Sequence, residues 1–204
     1  MVIGKAVTDT KCAESSVALT KFIAGVRRIV HAESNRKRVA GAVAELLGPY
    51  LQVEELLTRD QMQPDAKKYR QHVLHVETDG SFSIAALVWL PGQETPIHDH
   101  ISWCVVGVYK GVEYETRYKL CQQNGQVFLV EAGDGLSRQG SVDVLVPPGD
   151  IHKVTNAGSG MAVSIHIYGA DLAVLGCSIR RRYDVPMLVA PFHHAQLRKR
   201  AWLQ

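Results

Sequence analysis

The chain has 204 residues, of which 46% are hydrophobic, 21% charged and 7% aromatic. These proportions are typical of a globular domain and exclude a disordered or fibrous chain. A chain of this length buries about 70% of its unfolded surface on folding, so it needs no disulfide for stability. We therefore expect a single domain over residues 1–204.

The formal net charge of +3 comes from a basic C-terminal segment, because Lys and Arg concentrate at residues 180–182 and 198–200. A basic tail on a near-neutral body lacks the aromatic-interleaved stripe of nucleic-acid-binding domains, so we expect no nucleic-acid partner and a solvated tail. No apolar run reaches the length of about 18 residues that a membrane helix needs, which predicts no membrane partner. We expect a monomer or a weak homo-oligomer.

The four cysteines are widely separated and form no CxxC pair, and the N-terminus does not have the pattern of a secretory signal. This pattern favours a reducing, cytoplasmic location in which the cysteines are thiols. The cysteines are Cys12, Cys104, Cys121 and Cys177.

Helical periodicity begins at Cys12 and continues to about Leu57. The polar pair Ser34-Asn35 separates two helices, and Gly48-Pro49 predicts the end of the second. The sequence therefore predicts a helical cover over about residues 12–66.

After Pro64 the chain consists of short runs rich in Val, Ile, Leu and Tyr, separated by turn residues that include Asp79-Gly80, Asn124-Gly125 and Gly133-Asp134. Evenly spaced short strands favour a mostly β fold, either an antiparallel barrel or a double-sheet jelly roll, over about residues 70–170. Residues 171–204 are then a C-terminal extension. The predicted strands are 72–77, 82–90, 103–109, 112–120, 126–131, 143–146, 152–156 and 161–168.

Two of the nine histidines, His98 and His100, form an H-D-H sequence. Residues i and i+2 of an extended chain point to the same side, so both imidazoles can bind one ion. Asp99, between them, is expected to point away towards a backbone or solvent partner.

The surroundings of the pair resemble the two sequence motifs of the cupin superfamily, a family of small jelly-roll β-barrels that hold a metal ion. The resemblance implies metal ligands at His98, His100 and His152, with His152 following a P-x-G turn. The other matching residues are Gly92, Gly111, Gly140, Pro147-Pro148-Gly149 and Asn156.

The sequence departs from the cupin pattern where a glutamate ligand normally follows the histidine pair, because Cys104 and Val105 stand there. Three neutral imidazoles leave a divalent ion with its full charge and with open coordination positions. Such an ion suits an anionic ligand such as a thiolate, and thiolate with imidazole suits ferrous iron.

A second polar group lies at Ser164, His166 and Tyr168, which share one face of a predicted strand. One interpretation is a hydrogen-bonded chain that presents the Tyr168 phenol to the metal site. The other is a polar patch on the outer face of the barrel.

These motifs together resemble the thiol dioxygenases, the family of cysteine dioxygenase and 3-mercaptopropionate dioxygenase. The resemblance implies Fe(II) on the three histidines, addition of both atoms of O2 to a small thiol to give a sulfinate, and a hydrogen bond from the Tyr168 phenol to substrate or oxygen. The matching residues are Trp89, the P-I-H-D-H of 96–100, Gly111, the P-G-D-I-H-K-V-x-N of 148–156 and the S-I-H-I-Y of 164–168.

The resemblance also bears on Cys104, which is the nearest counterpart of a cysteine that animal cysteine dioxygenases join to the equivalent tyrosine by a thioether. We hypothesise that Cys104 contacts Tyr168 and forms this crosslink. The alternative is that Cys104 is a small buried hydrophobic residue beside the metal.

The sequence does not identify a single residue that binds the substrate carboxylate. Family members bind the carboxylate with an arginine or a glutamine on the strand before the barrel core, a position that falls at Arg70, Gln71 or His72. One branch of the family adds an arginine at the position where this chain has Cys177. Because Cys177 does not bind a carboxylate bidentately, Arg180 is a further candidate. The expected substrate is 3-mercaptopropionate, followed by cysteine or mercaptosuccinate.

Two other functions are compatible with a three-histidine cupin. One is a zinc or manganese enzyme that performs isomerisation or hydrolysis, since three histidines and a water also form a catalytic zinc site. The other is a non-catalytic, ligand-binding cupin.

Overall fold

Two helices precede the strands in the computed structural model, which describes residues 16–188. Helix α1 spans Val17–Ala32 and helix α2 spans Arg36–Tyr50. Asn35 caps α2 by accepting hydrogen bonds from the backbone N–H groups of residues 37 and 38 at 3.1 and 3.2 Å, which confirms the predicted break. The second helix ends just after Gly48-Pro49, as predicted.

Some predictions fall outside the described residues. These are the helical start at Cys12 and the basic positions Arg198, Lys199 and Arg200. Within residues 16–188, no helix combines the length and apolar character needed to span a bilayer.

Within residues 16–188, ten strands form two five-stranded antiparallel sheets, and a short helix, α3 (Leu172–Leu175), separates the last two strands. This is the mostly β, double-sheet architecture with N-terminal helices that the sequence predicts for a cupin. The strands are β1 (Arg70–Val76), β2 (Ser83–Trp89), β3 (His98–His100), β4 (Cys104–Lys110), β5 (Val112–Gln123), β6 (Gln126–Arg138), β7 (Val142–Leu145), β8 (His152–Asn156), β9 (Ala162–Tyr168) and β10 (Ile179–Arg182).

The first sheet has the strand order β1-β2-β9-β4-β7, and both faces of its central strands are buried. Alternate residues such as Ile84, Ile165 and Ile167 pack with Phe22 and Leu47 of the helices in one hydrophobic core. The intervening residues face the interior of the fold, opposite the second sheet, whose order is β10-β3-β8-β5-β6. The helices therefore support the sheet from outside and leave its inner face for the site.

The predicted set of strands differs from the structure in three places. The expected turn at Gly133-Asp134 is wrong, because β6 continues through these residues to Arg138. Gly133 has a φ of +144° and lies at a β-bulge, where the register with β5 shifts between residues 117 and 118. Strand β3 was expected only as an extended segment around the H-D-H sequence, and strand β10 was not predicted. Neither has enough apolar residues to show a strand pattern, and both are extended because they pair with each other.

Gly107 of β4 lies where the helices approach the first sheet. A Cβ atom placed on Gly107 would lie 2.6 Å from Cδ2 of Leu47 and 3.0 Å from Leu51. We expect Gly107→Ala to lower the free energy of unfolding by about 1–3 kcal/mol because it overpacks this contact. Urea unfolding measures the change.

Gly135→Ala is the matched control, because Gly135 also lies in a strand but a Cβ atom placed on it would meet nothing within 4 Å. It should retain the stability of the parent protein. Equal stability of the two variants would contradict the tight contact between α2 and β4.

Candidate metal centre

The three predicted metal ligands come together inside the fold. His98 and His100 lie on β3, and His98 is paired with His152 of the antiparallel neighbour β8. One ligand atom from each ring lies within 4.8 Å of the other two, and all three residues are buried. Two adjacent strands thus supply three convergent imidazoles.

An oxygen atom holds the outer nitrogen of each ring. His98 Nδ1 donates to the carbonyl of Pro96 at 2.9 Å, His100 Nδ1 to Asp150 Oδ2 at 3.0 Å, and His152 Nδ1 to Glu115 Oε1 at 2.7 Å. Since a proton on Nδ1 leaves a lone pair on Nε2, each ring has Nε2 available as a ligand atom. His152 Nε2 is buried and has no hydrogen-bond partner, which fits a bound metal ion.

The charges around the centre also fit a divalent cation. Burial lowers the pKa of His98 to about 3 and lowers the pKa of His100, so these imidazoles are neutral ligands. Burial disfavours ionisation of Asp150 and Glu115, but hydrogen bonds from His100 and His152 lower the pKa of each carboxyl below its ordinary value. The two carboxylates can therefore balance the charge of the ion.

The roles of Asp150 and Glu115 were not predicted from the sequence. Asp150 stands two residues before His152, inside the motif that identified the ligand, and Glu115 is an acidic residue at an inward position of β5. An acidic residue on the buried face of a strand was the signal that could have identified Glu115.

Ser164, His166 and Tyr168 form a buried hydrogen-bonded chain on the inner face of β9. Ser164 Oγ lies 2.9 Å from His166 Nε2, and His166 Nδ1 lies 3.0 Å from the Tyr168 hydroxyl. Trp89 Nε1 donates to Ser164 Oγ at 3.2 Å. The arrangement matches the first interpretation of the sequence and not an outer polar patch.

One cavity connects this chain with the metal ligands. Of the residues considered for the substrate carboxylate, Gln71 lines the cavity, as does Cys177. Its lining also includes the three metal histidines, Tyr69, Leu87, Trp89, Thr95, Val154, His166, Tyr168, Ser178 and Ile179. Tyr69 stacks on Trp89 with ring centroids 4.5 Å apart.

Arg70, His72 and Arg180 are not among the residues that line this cavity. His72 Nε2 lies 2.8 Å from the Gln63 carbonyl oxygen. The neighbours of Gln71 on β1 point to the other side of the strand, as alternation requires. The structure thus brings only Gln71 of the three β1 candidates to the metal site.

Arg180 instead pairs with Asp99, the residue between the two metal histidines. The Asp99 carboxylate, with a side chain only 1% exposed, accepts hydrogen bonds from Arg180 Nη2 and from the Tyr183 hydroxyl, the latter at 2.7 Å. Asp99 thus has two side-chain partners that were not predicted, in addition to the backbone of Arg181. The missed partners lie on and just after β10, a strand that sequence analysis did not predict.

Cys104 lies directly opposite Tyr168 in the pairing of β4 with β9. Both residues are buried in the same hydrophobic cluster. Burial raises the pKa of the Cys104 thiol well above its ordinary value, so the group is a neutral thiol. Directly opposed residues of an antiparallel pair have Cβ atoms about 4.5–5.5 Å apart, which places the thiol beside the tyrosine ring.

A comparison with known protein families decides the classification. Residues 13–177 match the family model described as cysteine dioxygenase type I. The chain belongs to this family. The match covers helices α1 and α2, all three metal histidines and the Ser164–Tyr168 strand. The family is one of thiol dioxygenases, which are oxidoreductases, so the chain is an enzyme of this class.

Several solved structures are similar to this family member. One is TT1209 from Thermus thermophilus, at 19% identity and a TM-score of 0.40, covering 57% of this chain and 97% of that one. An RmlC-like cupin from Desulfovibrio desulfuricans has 21% identity and a TM-score of 0.37, with 52% and 88% covered. A recombinant oxalate oxidase in complex with glycolate has 18% identity and a TM-score of 0.42, with 56% and 59% covered.

The outer carboxylates give a first test of the centre. We expect Glu115→Gln to weaken metal binding about 10–100-fold, because the neutral amide would replace the negative carboxylate that accepts the hydrogen bond from His152 Nδ1. Competition with a chelator, followed by metal analysis, measures the affinity. Glu131→Gln, an exposed glutamate on the adjacent strand β6, is the control and should bind metal like the parent protein. Equal affinity of both variants would contradict the role of Glu115.

Proposed function

We propose that this enzyme is a non-haem Fe(II) thiol dioxygenase that adds both atoms of O2 to the sulfur of a small carboxylated thiol, giving a sulfinate. The observation that carries the proposal is the shared cavity, in which three imidazoles and the Tyr168 phenol face the same space. The family match supports the reaction class.

The three histidines would hold the metal ion through Nε2. Bound there, ferrous iron would supply the redox chemistry that joins a thiol to O2. Asp150 and Glu115 hold the rings of His100 and His152 in one orientation, so the ligand atoms of these two residues are preorganised for metal binding.

Tyr168 is the proton-bearing group at the reaction site. Burial raises the pKa of its hydroxyl well above the ordinary value, so the phenol keeps its proton. His166 holds the hydroxyl in place, and Ser164 with Trp89 fixes the other side of the imidazole. The phenol is therefore positioned to form a hydrogen bond with substrate or oxygen.

The substrate carboxylate is best placed towards Gln71. The Gln71 amide lines the cavity beside Tyr69 and Ser178, and these polar groups can donate hydrogen bonds to a carboxylate. Arg182 also contributes a positive charge near Tyr69. Burial raises the pKa of Tyr69, and the charge of Arg182 partly offsets that rise. Arg182 is paired with His98 across β10 and β3, which puts it on the same side of the sheet as that ligand.

We expect the Fe(II)-loaded protein to consume one molecule of O2 for each sulfinate formed from 3-mercaptopropionate, and to prefer carboxylated thiols to cysteamine. An oxygen electrode combined with mass spectrometry of the products measures both quantities over a panel that includes cysteine and mercaptosuccinate. No O2 uptake with any of these thiols, at full iron occupancy, would overturn the proposal for this substrate class.

A crosslink between Cys104 and Tyr168 is a separate expectation. Formation of the thioether removes one hydrogen from the thiol and one from the tyrosine ring, with O2 as the oxidant. After turnover, intact mass spectrometry should show a fraction of the protein lighter by two hydrogen atoms. Cys104→Ala is the matched control and should keep its full mass. An unchanged mass of the parent protein after turnover would contradict the crosslink.

A further inference from the structure

A buried carboxyl group lies next to the Ser164–Tyr168 chain and has no assigned role. Glu113 occupies an inward position of β5, two residues before Glu115, and is only 3% exposed. The Ser164 hydroxyl and the Trp89 indole lie near enough to Glu113 to oppose the rise in its pKa that burial causes, and its Oε1 atom has no hydrogen-bond partner. A carboxyl group left incompletely satisfied in a fold interior is costly, so its presence calls for a function.

Several groups determine the charge of Glu113. Burial has the largest effect and raises the pKa to about 7, the Ser164 hydroxyl and the Trp89 indole lower it, and the negative charges of Asp143 on β7 and Glu115 on β5 raise it. His166 of β9 is the next titratable group along the chain, beyond Ser164, and burial keeps it neutral by lowering its pKa well below the ordinary value. Both protonation states of Glu113 are therefore accessible near neutral pH.

The hydrogen-bonding capacity of Ser164 links Glu113 to the chain. A hydroxyl group has one proton to donate and two lone pairs to accept with. The Trp89 indole is a donor only, and its one N–H, which Glu113 shares, occupies one lone pair of Ser164. The single Ser164 proton must therefore go either to His166 or to Glu113.

We propose that Glu113 is a positioning residue that sets the direction of the hydrogen bonds from Ser164 to Tyr168, and thereby decides whether Tyr168 donates or accepts in the cavity. The meaning of this choice for catalysis rests on the proposed function. The direction itself is a property of the protein and does not depend on that function.

The neutral acid gives one direction. Glu113 donates to Ser164, Ser164 then donates to His166 Nε2, and His166 carries its proton on Nδ1 and donates it to the Tyr168 oxygen. The phenolic proton of Tyr168 is left to point into the cavity, where it can stabilise negative charge that develops on substrate or oxygen.

The carboxylate gives the opposite direction. Ser164 donates to the charged Glu113, which makes the stronger bond. Ser164 then accepts from His166 Nε2–H, and the unprotonated Nδ1 accepts the phenolic proton of Tyr168. In this state Tyr168 offers the cavity only an acceptor, so the enzyme should lose activity as Glu113 ionises.

The direct test measures which nitrogen of His166 carries the proton. Nitrogen-15 NMR of histidine-labelled protein, loaded with zinc as a diamagnetic ion, distinguishes the two tautomers. In the parent protein the proton should lie on Nδ1 below about pH 7 and on Nε2 above it. In Glu113→Gln, whose amide donates to Ser164 and does not ionise, the proton should stay on Nδ1. A single tautomer in the parent protein from about pH 5 to 9, or the same change in the variant, would overturn the inference.

Kinetics give a second readout on the Fe(II)-loaded enzyme. The value of kcat/KM in the parent protein should fall about tenfold per pH unit above the ionisation of Glu113, and this fall should be absent in Glu113→Gln. Glu131→Gln should keep the fall. A variant with the parent pH profile but lower activity throughout would mean that Glu113 has only a structural role. Because the tautomer measurement needs no turnover, it stands even if no thiol proves to be a substrate.

Discussion

The metal centre depends on hydrogen bonds that hold the outer nitrogen of each ligating histidine. An imidazole on a strand is free to rotate and to carry its proton on either nitrogen, and a carbonyl or carboxylate oxygen at Nδ1 removes both freedoms. Pro96, Asp150 and Glu115 provide these oxygens from different parts of the chain. The strands bring the three rings together, and the oxygen atoms at Nδ1 fix the orientation of each ring and leave its Nε2 free to bind a metal ion.

The first sheet serves the hydrophobic core and the reaction site at the same time. On β9, Ile165 and Ile167 pack against the helices, whereas Ser164, His166 and Tyr168 face the cavity. Period-two alternation makes this division possible within seven residues. A register error of one residue would place polar groups in the apolar core, so correct packing of the helices also fixes the position of the phenol.

The sequence allowed prediction of the features that depend on local pattern. The helix break at Asn35, most strands and the shared face of Ser164, His166 and Tyr168 follow from turn residues and alternation. Alternation also places His98 and His100 on one side, but only the resemblance to cupins adds His152 to them. What was missed depends on contacts between distant segments. Strands β3 and β10 have no apolar pattern, Glu115 is recognised only once β5 lies against His152, and Asp99 finds Arg180 only after the sheet has formed.

The bond between Asp99 and Arg180 joins residues 81 positions apart in the chain. A ribosome must therefore synthesise almost all of the described residues before β10 can close against the strand that carries two of the metal ligands. Pairings of such long range form slowly, since the entropy of closing a large loop has to be overcome first. The pocket that would hold the ion is therefore complete only when segments from both halves of the chain have come together.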